Sequence, residues 1–209
     1  MAKTLLENKK EFVDLLRSTG RDGIDDVIEY LERDGFFTAP ASSTKHLNTE
    51  GGLVEHSLNV YHTAVAIWEA LKPITPSIAT DIQPESIIIA ALLHDVCKID
   101  IYKRTVVKRK VLGQWEDAEG YKCSYKDFPM GHGEKSLVLL LCQGLEMSDD
   151  EMLAIRWHMG AWGVNLNSWE ETKNYDSANK QYPLVSLIHS ADNLAANLVE
   201  TTAKDLEDL

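Results

Sequence analysis

Cysteine is scarce and unpatterned: Cys97, Cys123 and Cys142 form neither a Cys-x-x-Cys pair nor an even framework. A disulfide-stapled scaffold is excluded, and a reducing compartment, the cytoplasm, is expected. Long apolar runs are lacking too. The longest aliphatic stretch, Ile87 to Leu93, is far too short to cross a bilayer. The first residues, through Lys9 and Lys10, carry no apolar segment followed by a small-residue cleavage site, so neither a membrane role nor export is expected. Positive charge is in deficit: 21 Lys and Arg stand against 33 Asp and Glu, a formal net charge of −12. That balance opposes a general coating of long nucleic acid or anionic lipid, and any polyanionic partner has to be met locally. No repeat, low-complexity tract or long Gly/Ser linker divides the chain. Its 209 residues, 44% of them apolar, suffice for one well-buried domain.

What is present reads mostly as helix. Apolar positions cluster helically from Leu5 to Leu16, and again at Ile24, Val27, Ile28 and Leu31, with Asp22 or Asp25 as cap and Gly35 as stop. A loop is expected from Thr38 to Gly52, then a long helix from Leu53 to Leu71 with a stripe at Val54, Leu58, Tyr61, Val65 and Trp68. Pro84 and Glu85 open an almost wholly apolar helix over Ser86 to Cys97. From Ile99 to Tyr125 the composition turns β-branched and basic, which predicts a β-hairpin. Helices follow at Gly133 to Leu145 and at Ser148 to His158, the latter with Ser148 and Glu151 as a capping box. The sequence then predicts a polar loop from Gly163 to Lys180 and a last helix from Pro183 to about Val199. The fold class expected is all-α, a helical bundle with a small β-hairpin around residues 101–125.

Several polar residues break this apolar pattern. His94 and Asp95 end a run of Ile, Ala and Leu, where an unpartnered carboxylate would cost several kcal/mol. A divalent metal satisfies both side chains; so does a locally capped Asp beside a hydrogen-bonded core histidine, and the pair alone does not decide. His56 follows the Gly51-Gly52 turn at the start of the long helix, and Asp192 lies among Leu187, Ile188, Leu194 and Ala195. His132 sits between Gly131 and Gly133, and His158 closes a helix just before Gly160. Singly, each fits a cap or a core histidine. Delivered together from five segments, they are hard to explain by packing.

In this order, His56, His94-Asp95, His132, His158 and Asp192, the residues resemble the pattern of the HD superfamily of metal-dependent phosphohydrolases. The flanking Gly51-Gly52-Leu53-Val54-Glu55-His56 and Ala91-Leu92-Leu93-His94-Asp95-Val96-Cys97-Lys98 agree, and the likeness runs from about Phe37 to Val199. It implies an HD domain over 37–200, preceded by a helical extension at 1–36 packed on it and followed by an acidic tail at 201–209. It implies that His56, His94, Asp95 and Asp192 hold one divalent ion. His132 and His158 resemble the added ligands of two-metal members, in which the carboxylate matched by Asp95 bridges both ions. Mn, Fe, Co, Ni, Mg and Zn are all compatible with such a set. The reaction implied is hydrolysis of a phosphoester by a metal-activated water, with Asp95 and Lys98 in the catalytic role.

Around that set the readings stay open. Lys98 matches a Lys common after the His-Asp pair and could contact a phosphate, or it could serve the helix end. Lys135, and with it Glu134, is a weaker candidate for substrate or supporting contact. Lys103, Arg104, Lys108, Arg109 and Lys110 could guide a phosphorylated substrate or form a solvated strand face. Trp115, Trp157 and Trp162 could stack on a base but fit core roles better. His46, His62 and His189 could support the ligands.

The Gly-Gly-Leu-Val-Glu-His stretch is most similar to the HD domain of bacterial exoribonucleases of the YhaM type. The chain has no room for the RNA-gripping OB-fold of those proteins, so a phosphorylated small molecule, a nucleotide, cyclic nucleotide or short nucleic-acid end, is the partner expected rather than long RNA. Two other classes keep the same ligands: a mixed-valent di-iron oxygenase, and a nucleotide-binding module without turnover.

Overall fold

The computed structural model describes residues 3–111 and 114–201. All but the first residue of the acidic tail expected at 201–209, and Gly113 of the hairpin, lie outside the described residues. The chain opens with α1 (Leu5–Ser18), begun by a Thr4/Glu7 capping box, and α2 (Ile24–Arg33). After a 3-10 turn at Phe36–Thr38 and a loop come α3 (Gly52–Leu71), α4 (Ile78–Asp81) and α5 (Pro84–Leu93). A short α6 (Lys98–Ile101) leads into the antiparallel hairpin β1 (Tyr102–Val111) and β2 (Gln114–Cys123), in register from Tyr102 opposite Cys123. Then follow α7 (His132–Cys142), α8 (Asp149–Trp157), a 3-10 turn at Gly160–Gly163, α9 (Trp169–Gln181) and α10 (Pro183–Leu194), which runs into a π-turn at Ala195–Val199. The all-α bundle with one β-hairpin is therefore what the chain forms. Among the described residues no helix is long and apolar enough to cross a membrane.

α5 is the axis of the bundle. Ile87 through Leu93 are all buried, so its lack of an apolar stripe reflects burial on every side rather than a missing core face. α3, α8, α10 and α1 pack around it. α1 shares this core: Phe12 meets Phe36 and Phe37 with ring centroids 5.1 and 5.5 Å away. In α3 the expected stripe holds in part. Val54, Leu58 and Trp68 are buried and Tyr61 and Val65 half-buried, while Leu53, Val60 and Ala64 are buried as well. Glu151 serves α8 twice. It closes the expected capping box with Ser148, and its buried carboxylate accepts from Arg21 at 2.6 Å and from Ser86 at 2.7 Å, tying α8 to α5 and to the N-terminal helices.

Several elements differ from the sequence reading, among them α7, which ends at Cys142 rather than Leu145. The loop expected over 163–180 contains α9: the Ser168 hydroxyl accepts from the Glu171 amide, Glu170 and Glu171 occupy the first turn and Lys180 the last. Its apolar periodicity is faint because only Ala178 is fully buried. The helix expected to reach Cys97 stops at Leu93, with His94 as its C-cap. The final helix does extend to Val199, but its last turn widens to π geometry, where the Glu200 amide donates to the Ala195 carbonyl at 3.0 Å.

The entry into α3 depends on Gly52. A Cβ there would lie 2.0 Å from the Leu47 carbonyl oxygen, a backbone atom that cannot swing aside. Gly52→Ala is expected to cost about 2 kcal/mol; a thermal melt that matches the parent protein's would show that the 39–51 loop yields.

Candidate metal centre

Two histidines are presented by the same local device. His94 caps α5 and His158 caps α8, both in helical conformation, and each Nδ1–H donates to the carbonyl three residues back, to Ala91 at 2.8 Å and to Ile155 at 2.7 Å. The imidazole thus satisfies a carbonyl left over at the helix end. It also fixes the tautomer, because the proton sits on Nδ1 and the Nε2 lone pair points inward. Both Nε2 atoms are buried and, among the described residues, without a hydrogen-bond partner, and the two rings stand 4.8 Å apart. A buried acceptor with nothing to accept from is costly, and a pair of them aimed at one point is what a metal ligand set provides.

His56 enters from α3, one turn after Gly52. Its Nδ1 faces Glu200 at 2.9 and 3.1 Å, while its Nε2 lies 3.2 Å from Asp192 Oδ1 and 3.5 Å from Asp95 Oδ2. Asp192 comes from the inner face of α10, and its Oδ1 is also 3.9 Å from His94 Nε2. His132, first residue of α7, places Nε2 at 2.7 Å from Asp95 Oδ1. A Cβ on the adjacent Gly133 would lie 2.1 Å from the Arg156 carbonyl oxygen, so only glycine lets α7 approach α8 closely enough to bring His132 in.

Asp95 divides the cluster. Its Oδ2 faces His94 at 3.1 Å, His56 at 3.5 Å and Lys98 at 2.6 Å, whereas its Oδ1 faces His132 at 2.7 Å and His158 at 3.5 Å. Metal-sized groupings accordingly form on both sides of it, His56/His94/Asp192 on one and His94/Asp95/His158 on the other, with Asp95/Cys97/His132 adjoining.

The charges explain the protonation states. Burial would raise the Asp95 carboxyl, but Lys98 and the surrounding histidines hold it well below the usual carboxylate range. Burial would strip the proton from Lys98, yet Asp95 keeps it firmly charged. For His56, burial is outweighed by Asp192, Asp95 and Glu200, which raise it well above the ordinary histidine value. For His132 the same contest, with Cys97 and Asp95 opposing burial, pushes the pKa up to about 9. The six residues read from the sequence, His56, His94, Asp95, His132, His158 and Asp192, therefore converge on one point, with Lys98 beside them.

The remaining candidates lie elsewhere. Lys135 is buried, and its Nζ donates to the Asp127 carbonyl at 2.9 Å and meets Asp100 at 3.2 Å, so its contacts hold the 125–131 segment against α6. Glu134 pairs with Arg156. Along the hairpin Arg104 pairs with Glu119, and Lys108 with Asp117 at 2.6 Å, all exposed. Lys103 reaches Asp127 at 3.9 Å, and Arg109 and Lys110 are described only in their backbone pairing. Trp157 is core and Trp115 is exposed on β2. His62 pairs with Glu11 on the surface at 2.9 Å. His189 donates to the His158 carbonyl at 2.7 Å, buttressing that residue from behind.

One neighbour of the cluster, Glu200, escapes sequence reasoning, and another, His46, is among the histidines the sequence offers as supports. Glu200 is buried, accepts from Asn59 at 3.0 Å as well as facing His56, and is held below its usual pKa, against burial, by those partners. No residue pattern in the sequence singles it out. His46, whose ring lies 5.2 Å from that of His56, sits 3.8 Å from Glu200 and is kept neutral by burial and by the His56 charge.

Residues 53–197, well over half of the chain, match the family model described as the HD domain. Among curated proteins and solved structures nothing matches the chain.

Proposed function

The chain belongs to the HD-domain family, whose members are generally metal-dependent hydrolases, and we propose that it hydrolyses a phosphoester of a nucleotide, cyclic nucleotide or short nucleic-acid end with two divalent ions. The observation that carries this reading is the division of Asp95 between two histidine groups, Oδ2 toward His56 and His94, Oδ1 toward His132 and His158. A carboxylate so placed can serve both halves of a two-ion centre. The unpartnered Nε2 atoms of His94 and His158 fit a metal better than they fit any proton donor nearby. Divalent ions held by this set supply a Lewis acid for phosphoryl oxygens and an acidified water as nucleophile.

The protein's own contribution is positional and electrostatic. Glu200 orients His56, and the Ala91 and Ile155 carbonyls orient His94 and His158, so three of the imidazoles are aimed before anything binds. Lys98, pinned at 2.6 Å from Asp95 and kept protonated, retains further N–H bonds to offer a phosphoryl oxygen. His132 and Asp192 are the cluster members that reach solvent, with side chains 22% and 18% exposed against 3% or less for His56, His94, Asp95 and His158. Substrate therefore arrives on their side.

Proton competition gives a pH signature. With His132 raised to about 9, and His56 raised as well, these nitrogens are protonated near neutrality before metal enters. Each proton must leave for the nitrogen to ligate, so metal affinity should rise with pH through this window, by up to about tenfold per unit for each proton displaced. Manganese titrations in buffers of different ionisation enthalpy count those protons; an affinity flat from mildly acidic to mildly alkaline pH contradicts the assignment of these ligands.

The function itself is tested by metal analysis joined to phosphate release from monoesters, diesters and nucleotides, with oxygen uptake recorded alongside. Chelator-sensitive hydrolysis without oxygen uptake is the expected outcome. Metal-dependent oxygen consumption without hydrolysis overturns it.

A further inference from the structure

The side of the centre open to solvent at His132 continues into a cavity of about 400 Å³ that the reaction chemistry leaves unused, a size suited to a small organic group. His132 is one of its walls, and Glu134, Arg156, Trp162, Asn165 and Glu171 are others. Three features define its occupant. The first is charge: Arg156 is bound by both Glu134 and Glu171, so its cation is spent, and once His132 has given up its proton to ligate a metal the wall carries one more acid than base, an unfavourable place for a further phosphate. The second is aromatic surface. Trp162, in the 3-10 turn after α8, is 88% exposed, whereas the Trp157 ring just before that turn is buried. Tryptophan is rarely left so open. The third is a polar group with spare donors. Asn165 accepts the Asn167 amide on Oδ1 at 3.1 Å, and among the described residues its Nδ2 has no partner, leaving two N–H donors at the rim.

An uncharged planar ring with acceptor atoms on its edge satisfies all three. Resting on the phosphohydrolase reading, we propose that this cavity is the subsite for the nucleobase of a nucleotide substrate, stacked on Trp162 and hydrogen-bonded by Asn165, while its phosphoester lies at the cluster around Asp95. His132 is shared by the two halves of the site and sets the span between base and phosphorus. The paired glutamates around Arg156 favour a substrate whose only phosphate is the one being cleaved.

The test compares substrates with and without a base on the manganese-loaded full chain: a nucleoside 5′-monophosphate or a dinucleotide against glycerol phosphate or its methyl ester. Trp162 is a surface side chain, so Trp162→Ala is not a folding risk. It should lower kcat/KM on the nucleotide on the order of tenfold, far more than on the glycerol ester, with Trp162→Phe recovering most of the loss and Asn165→Ala giving a smaller drop of the same kind. A nucleoside without phosphate, titrated by calorimetry into metal-free protein, should bind and should weaken by a similar factor in Trp162→Ala. Equal losses on both substrate types, or nucleoside binding indifferent to Trp162, overturn the proposal. If the parent protein cleaves no phosphoester at all, the hydrolase reading fails, and the nucleoside titration still decides this cavity on its own.

Discussion

Asp95→Ala is expected to lower phosphoester turnover on the order of a thousandfold or more, about 4 kcal/mol of transition-state stabilisation, and to abolish tight metal binding. The size of the effect follows from geometry: both oxygens of this one carboxylate are engaged, and His56, His94, His132, His158 and Lys98 all face it. Removing it deprives both halves of the cluster of the one carboxylate they share and leaves the buried Lys98 charge without its partner, itself a cost of about 3–5 kcal/mol. The alanine variant is therefore paired with Asp95→Asn, which keeps the volume and one acceptor oxygen, and with Asp192→Ala at the cluster's more open edge. All three should lose metal. A thermal melt separates loss of the centre from loss of the fold, and phosphate release at the parent rate from either Asp95 variant contradicts the assignment.

The second large effect lies one step behind the ligands. Glu200→Gln is expected to weaken metal binding by about 10–100-fold while leaving a folded protein, because a glutamine at this position still accepts from His56 Nδ1 and Asn59 but no longer sets a negative charge behind the imidazole. The charge matters because a carboxylate raises the donor strength of the opposite nitrogen, the one turned toward Asp192 and Asp95. Manganese titration of the two proteins measures the ratio. Equal affinities would reduce Glu200 to a packing role.

The sequence and the structure agree where the signal is local. His56, His94, Asp95 and Asp192 stood out because each is polar on an otherwise apolar helix, and burial without compensation is costly enough to demand a reason. His132 and His158 were marked by flanking glycines, whose necessity becomes clear in three dimensions: a Cβ on Gly133 would meet the Arg156 backbone, and one on Gly160 would lie 2.3 Å from the His189 ring. Long-range partners carry no such mark. Glu200 reaches His56 across 144 residues, and the π-turn at Ala195–Val199 lies immediately before it, a feature of backbone geometry that no residue pattern announces. The α9 helix was hidden for a different reason, since a mostly polar helix that buries only Ala178 lacks the periodicity by which helices are read. Lys135 shows the converse: a lysine beside a histidine ligand looks like a phosphate contact, yet its ammonium is turned to the Asp127 carbonyl and Asp100.

The scarcity of positive charge takes on a local meaning. Arg104, Lys108 and Arg156 are each paired with a carboxylate, so on the proposed reading Lys98, although held by Asp95, is the one of these cations placed to meet a phosphorylated substrate. Under the proposed function, neutralising its charge would fall chiefly to divalent ions held by the cluster.

The most direct test is the number of divalent ions bound per chain, measured by elemental analysis of protein equilibrated with manganese and read together with phosphate release by the same sample. The account predicts two ions per chain in the parent protein, chelator-sensitive hydrolysis, and loss of both in Asp95→Asn. Hydrolysis that persists in chelator, or an Asp95→Asn protein with undiminished metal and turnover, would contradict it.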